Sequence, residues 1–253
     1  MRALLVDAGN TRVAFAAWDE GDGWPRPFGG APARALRRLG SLPTPRDGAG
    51  DAAFTDAARE ILAGAGEAPV VLVSVVPRVD SLLAALRPDL RRADHRAALP
   101  FTHRLSDAGA TGADRLCNMA AAVAAGLADA LVVDAGTATT CDVLSAGVFL
   151  GGVIAPGMAF ALERIGREAA RLRPVPFGPT PLRAGPDTAS ALAAGAFHAG
   201  VGGVEALIAG LLAAHGSLPV VLTGGLAGHL ARPDRHLDPD WTLRGAACLG
   251  RLS

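Results

Sequence analysis

The 253-residue chain contains no lysine and no tyrosine, and only 4% of its residues are aromatic. Because every one of the 24 formal cations is therefore arginine, a P-loop lysine, a protein-kinase lysine and Schiff-base chemistry are all excluded. Cysteine is scarce as well. Cys117, Cys141 and Cys248 are odd in number, widely spaced and without a CxxC pair, so neither a disulfide framework nor a zinc site is indicated. Buried free thiols are expected instead. Charge of one sign is not in excess, since 24 acidic residues balance the arginines; this gives no electrostatic reason to expect a nucleic acid or an anionic membrane as partner. No run reaches the roughly 18 uncharged apolar residues of a spanning helix. The early strand and Asp7 leave no room for a leader, so a cytoplasmic location is expected. The six histidines have no ligand or triad spacing, and no Gly-x-Ser-x-Gly occurs.

Half of the residues are hydrophobic, enough for a substantial core in one large domain or two ordinary ones. Twice an apolar run ends in Asp-Ala-Gly: Leu4 to Asp7-Ala8-Gly9-Asn10-Thr11, and Leu131 to Asp134-Ala135-Gly136-Thr137-Ala138-Thr139. A buried strand breaking into a glycine turn with free N–H groups beside a carboxylate suits a phosphate chain carrying a cation. Two such turns suggest a nucleotide held between duplicated halves.

The pattern predicts strands at Ala3 to Val6 and Arg12 to Trp18, a helix through Ala33 to Leu39, and a loop from Ser41 to Asp51. A helix from Ala52 to Ala63, a strand at Val70 to Val76 and a helix at Arg78 to Leu86 follow. The second half repeats this with strands at Leu131 to Asp134, Thr139 to Leu144 and Gly147 to Ala155, and Val220 to Thr223 matches Val71 to Ser74. Gly112 to Ala125 reads as a joining helix. Asp187 to Ala214 reads as a long helix whose glycines (195, 200, 202 and 203) imply close backbone packing, kinks or a break, and suit a subunit interface. Arg164, Arg167 and Arg171 fall on one solvated helical face, and Arg173 to Pro186 reads as a surface loop placed to serve as a lid.

Strand, Asp-x-Gly turn and strand, repeated with a later Thr223-Gly224-Gly225 turn, resembles the actin, sugar-kinase and Hsp70 superfamily. There, two ribonuclease-H-like domains close on ATP; the implied fold is α/β, with the active site in the cleft between two duplicated domains, here 1–110 and 111–253. Gly112-Ala113-Asp114-Arg115, Asp134 to Asp142, Gly151 to Gly157, and Thr188 followed by Gly195 together resemble the type III pantothenate kinases across essentially the whole chain.

That resemblance implies ATP-dependent phosphorylation of pantothenate, the entry step to coenzyme A, by a homodimer using magnesium and a potassium or ammonium ion. It implies Asp114 as proton acceptor, with Gly112, Ala113, Arg115 and Thr188 at the substrate. Arg115 can meet the pantothenate carboxylate with two parallel hydrogen bonds. ATP contacts fall on Asp7, Ala8, Gly9, Asn10, Thr11, Arg12, Val13, Ala14, Gly136, Thr137, Gly224 and Gly225; Asp7 faces the magnesium-bound phosphates, directly or through water, and Asp134 takes the monovalent ion. The residues also permit blander readings: Thr111 and Asp114 have capping spacing, Asp187 and Thr188 could simply start a helix, and an Asp-x-Gly is commonly a strand-end turn. One departure stands out. The family places a Tyr near the position of Leu105, and its loss removes one hydrogen bond, worth about 0.5–1.5 kcal/mol. Two rival classes remain open on sequence: another small-molecule kinase of the superfamily, and a non-catalytic regulator.

Overall fold

The structure, a computed structural model, describes the chain apart from residues 20, 25–26, 29–32, 169–172 and 253, and apart from the side chains of 166–168. In the first half, β1 (Ala3–Ala8), β2 (Arg12–Trp18), β3 (Arg37–Pro43), α1 (Asp51–Ala63), β4 (Val70–Ser74), α2 (Pro77–Leu86) and β5 (Arg91–Arg92) follow in order. In the second come β6 (Thr102–His103), α3 (Ala113–Ala124), β7 (Ala130–Ala135), β8 (Ala138–Ser145), β9 (Val148–Pro156), α4 (Phe160–Glu168), α5 (Thr188–His215), β10 (Val220–Thr223), β11 (Arg235–Leu237) and α6 (Trp241–Leu249). Short 3-10 turns cover Gly48–Gly50 and Ala227–Leu230.

The strand orders carry the duplication. One sheet runs β3-β2-β1-β4-β5, and the other runs β11-β10-β7-β8-β9-β6. Reading β7 as β1, β8 as β2, β9 as β3, β10 as β4 and β11 as β5 superposes the two orders, with β6 added at an edge. The registers refine the expected match by one residue. Asp7 pairs with Val73 and Asp134 with Thr223, so Thr223 corresponds to Val73 and Val220 to Val70, not Val71.

The expected helix through Ala33 to Leu39 is not formed. Arg37–Pro43 is a strand paired antiparallel with β2, from Arg12↔Pro43 to Ala17↔Arg37, with a bulge between Phe15 and Ala16. Leu36, Leu39 and Leu42 mimic a helical stripe in sequence, but an open strand edge beside β2 offers a ladder of hydrogen bonds that an isolated turn of helix cannot match. The expected loop accordingly starts later, after Pro43. Of the arginine face on α4, Arg171 lies outside the described residues.

Two compact units emerge: residues 1–128, 144–150 and 240–253, and residues 129–143 and 151–239. These differ from a division at residue 110, because α3 and the C-terminal α6 pack with the first sheet. In the first unit Leu4, Val6, Ala8, Val13 and Phe15 meet Phe54, Ala58, Leu62, Val79 and Leu83 of α1 and α2. Burying a side chain of this size is worth about 1.5–3 kcal/mol. The alternate residues, Leu5 and Asp7, therefore point to the opposite face, where α3 and α6 lie. Gly245 sets the spacing of those helices: a Cβ there would overlap the Cys117 backbone, and any larger residue would push α3 away.

In the second unit α5 is unbroken over 28 residues, started by an Asp187 cap whose carboxylate accepts from the Ser190 N–H at 2.8 Å. Only Gly200 meets a neighbouring backbone, at Met158; Gly195, Gly202 and Gly203 face open space. Among the described residues, α5 is the one helix long and apolar enough to cross a membrane by length and composition. Its apolar run carries one carboxylate, Glu205, which pairs with Arg235 of β11 at 2.7 Å.

Candidate active site

In the first unit the chain breaks after Ala8 because the Gly9 N–H donates to the Arg12 carbonyl at 3.0 Å, closing a turn over Asn10 and Thr11. That N–H is consumed by the turn, so ligand donors must come from Asn10, Thr11 and Arg12, all exposed. The missed strand β3 supports this turn from the other side. Past its end, the Thr44 hydroxyl donates to the Gly9 carbonyl at 2.6 Å and its N–H donates to the Thr11 carbonyl at 3.1 Å. Ala8 and Val13 sit in the core, so of the expected ATP contacts these two can act through backbone alone. Asp7 is partly exposed at the strand end.

Asp114 lies in the first turn of α3, and Gly112 just before it sits against Val75, whose N–H donates to the Ala8 carbonyl at 3.1 Å, so α3 starts beside the end of β1. The pKa of the buried Cys117 thiol is driven well up, first by burial and then by the charges of Asp114 and Asp7. The capping box between Thr111 and Asp114 is not formed. The helix is capped by Gly112 without a side-chain bond, and Thr111 donates to the Asp107 carbonyl at 3.2 Å. The Asp114 carboxylate instead folds back to accept from the Arg115 N–H at 2.8 Å. A Cβ at Gly112 would run into that carboxylate, so glycine is the residue that lets Asp114 take this position. Helix α3 is itself clamped by α6, through the Trp241 indole N–H on the Asn118 carbonyl at 3.0 Å and the Thr242 hydroxyl on the Asn118 side chain at 2.9 Å. The sequence reading missed α6; its signal was Gly245 inside an apolar helical stretch.

Arg115 lies over the Phe149 ring at 5.8 Å, and Phe101 meets Phe149 edge-on at 6.0 Å. Leu105 lies two residues beyond the end of β6, which pairs with Val148 and Phe149. A guanidinium over a ring face is attracted to it electrostatically.

The second unit repeats the turn with one residue fewer: the Gly136 N–H donates to the Ala138 carbonyl at 3.1 Å, leaving Thr137 exposed at the tip. Gly157 and Gly224 press close on it. A Cβ at Gly157 would lie 2.5 Å from the Gly136 carbonyl oxygen, and one at Gly224, where φ is +92°, would lie 2.5 Å from an Asp134 carboxylate oxygen. Only glycine serves at position 224, by conformation and by space. Thr188 is the exposed first residue of α5, beyond the Asp187 cap; the helix-start reading of this pair is realised in the fold. Among the described residues no group of three or more His, Cys, Asp or Glu could hold a metal, so a divalent ion here would rely on single carboxylates, water and phosphate oxygens.

The sequence profile described as type III pantothenate kinase matches residues 3–210. A type III pantothenate kinase of Acidiphilium cryptum is 35% identical over 97% of this chain and 93% of its own length. One from Rubrobacter xylanophilus is 32% identical over 99% and 97%. Among solved structures, one assigned to a Baf family of transcriptional activators from Campylobacter jejuni aligns over 98% of this chain and 97% of its own, with a TM-score of 0.60 at 21% identity. A ROK family glucokinase from Streptomyces griseus, solved with glucose and AMPPNP, covers 99% of each chain with a TM-score of 0.51 at 14% identity. At these identities the structural likeness speaks to the fold, which is that of the actin-like ATPases.

Proposed function

The chain belongs to the type III pantothenate kinase family, and we propose that it transfers the γ-phosphoryl group of ATP to the terminal hydroxyl of pantothenate. The observation that supports this most directly is the start of α3, which carries Asp114, beside the end of β1, which carries Asp7: Gly112 sits against Val75, and the Val75 N–H donates to the Ala8 carbonyl at 3.1 Å. A phosphate-binding turn and a proton acceptor held on the same rigid elements are what an in-line transfer to an alcohol requires.

In this reading the pantothenate carboxylate is gripped by Arg115, and Thr188 adds a hydroxyl contact. The pantothenate oxygen forms a bond to the γ-phosphorus while the bond to the β–γ bridging oxygen breaks, and ADP leaves. The hydroxyl proton passes to Asp114. As a carboxylate in the first turn of a helix, accepting a backbone N–H, Asp114 is a weak base. That suffices where the transition state is loose and the proton leaves late.

The residues present fit both implied ions. Asp7 at an exposed turn suits a magnesium ion shared with phosphate oxygens and water. Asp134, with the Gly224 backbone pressed against it and the unpartnered Thr140 hydroxyl on the same hairpin, suits a monovalent ion. When bound, these ions neutralise phosphate charge. We further propose that the enzyme is cytoplasmic, and that the apolar and largely uncovered α5 supports a homodimer. A coupled assay with ATP, pantothenate, magnesium and potassium tests the reading: ADP release that depends on pantothenate is expected, and no turnover would reject it. Equilibrium sedimentation checks the dimer.

A further inference from the structure

The two duplicated turns differ in what flanks their aspartates, and that difference points to a donor set. In the first sheet Asp7 pairs with Val73 on one side and Ala14 on the other. In the second, Asp134 pairs with Thr223 of β10. The bond from the Gly136 N–H to the Ala138 carbonyl sets the pairing of β7 with β8. The equivalent closing bond at Gly9 and Arg12 leads to Asp7↔Ala14, and counted the same way from Gly136 and Ala138, Asp134 faces Thr140. Laterally paired residues share a face. A row of threonine, aspartate and threonine thus crosses β10, β7 and β8 where the first unit has valine, aspartate and alanine.

Both threonines are buried, Thr223 at 1% and Thr140 at 9% exposure. The Thr140 hydroxyl has no hydrogen-bond partner. A buried hydroxyl left unpartnered costs stability and calls for an explanation, of which a bound ion is one. A Cβ at Gly224 would lie 2.5 Å from an oxygen of the same Asp134 carboxylate, so the backbone beyond Thr223 packs close against it.

We propose that Thr140 and Thr223 are neutral oxygen donors which, with Asp134, bind a monovalent cation of potassium size; this deepens the reading of Asp134 given above and rests on it. Neutral oxygens suit such an ion because one carboxylate already balances its single charge, and further donors need only replace its water. The first turn, with Val73 and Ala14 in these places, has no such donors, which fits a carboxylate that works on a phosphate-bound ion instead.

The full-length chain can be melted in potassium chloride and in choline chloride at matched ionic strength. The wild type should melt several degrees higher in potassium. Thr140→Val keeps the shape of the side chain and removes the unpartnered hydroxyl, so it should melt at least as high as wild type in choline. Its potassium half-saturation should nevertheless rise about tenfold, the size of one modest contact. Thr223→Val should behave alike, and Thr140→Ser should restore the response. Thr139→Val is the control, since that buried, unpartnered hydroxyl lies on the other face of β8. An unchanged potassium response in Thr140→Val, no response in the wild type, or an equal loss in Thr139→Val would overturn the proposal. Turnover assays on the same proteins separate the two readings. Pantothenate turnover with unaltered potassium dependence in the valine variants rejects the donor set and leaves the kinase; no turnover beside an intact potassium response rejects the kinase and leaves the site.

Discussion

The first unit and the second share a strand order and an Asp-x-Gly turn, yet they use them differently. In the first, the turn spans Asn10 and Thr11, is buttressed by Thr44, and follows a strand whose end lies beside the start of a helix that carries a second carboxylate. In the second, the turn is shorter by one residue, its aspartate is flanked by threonine, and the long helix of that unit carries no carboxylate in its first turn. Duplication supplied two copies of a strand-end glycine turn. What was added to each copy, α3 with α6 in one and a polar row in the other, is the basis for the different roles proposed for their aspartates.

The sharpest way to break that contrast is to remove the carboxylate that only the first unit has. Asp114→Asn should lower turnover by about 10²–10⁴-fold, the usual contribution of a positioned proton acceptor, while the melting temperature stays near that of the wild type. Steady-state ADP release and a thermal melt on one sample check both halves; full activity would remove Asp114 as the acceptor.

The helices that carry the sites can be contrasted through their glycines. Gly245→Ala drives a methyl into the Cys117 backbone, and overpacking of this kind costs about 1–3 kcal/mol. It should also slow turnover, because α3 carries Asp114. Gly202→Ala in α5 meets open space and should stabilise by up to about 1 kcal/mol. Urea denaturation of the two variants gives the signs directly. The opposite order would mean that the α3–α6 contact is not the tight one.

A smaller effect is expected at the guanidinium over Phe149. Arg115→Lys keeps the charge and loses the planar fork, so the KM for pantothenate should rise about tenfold with kcat altered less. A fall in kcat at constant KM would place Arg115 on the phosphates instead.

The sequence made the repeated hairpins legible because each is local: alternating apolar residues, a glycine turn and a partner strand within twenty residues. Asp7, Asp134 and α3 could be placed for the same reason. Strand β3 could not, because Arg37–Pro43 is a strand only by virtue of β2 beside it. Nor could α6, whose importance comes from contacts with α3 more than a hundred residues away. The support of the first turn by Thr44 and the flanking of Asp134 by Thr223 are likewise long-range pairings, and no local pattern announces them. The motifs that frame the candidate site were readable locally; its scaffolding was not.

The gentlest test concerns how the second unit holds its long helix. Glu205 of α5 receives both Arg235 nitrogens, at 2.8 and 2.7 Å, with the arginine side chain only 6% exposed. The Arg235 hydrogen bond is the main reason the Glu205 carboxyl titrates below its ordinary value of 4.5. A carboxylate whose folded pKa is depressed stabilises the fold above the unfolded pKa, and that contribution is lost as pH falls through the folded value. Glu205→Gln should therefore cost about 1 kcal/mol at pH 7, near the upper end for pairs that are partly solvated. The gap from wild type should begin to close below about pH 4.5 and vanish once the wild-type carboxyl is protonated. Urea melts of both proteins at pH 7, 5 and 3.5 follow this. A difference that persists undiminished into acid would show that Glu205 anchors α5 by packing and hydrogen bonding, with its charge irrelevant.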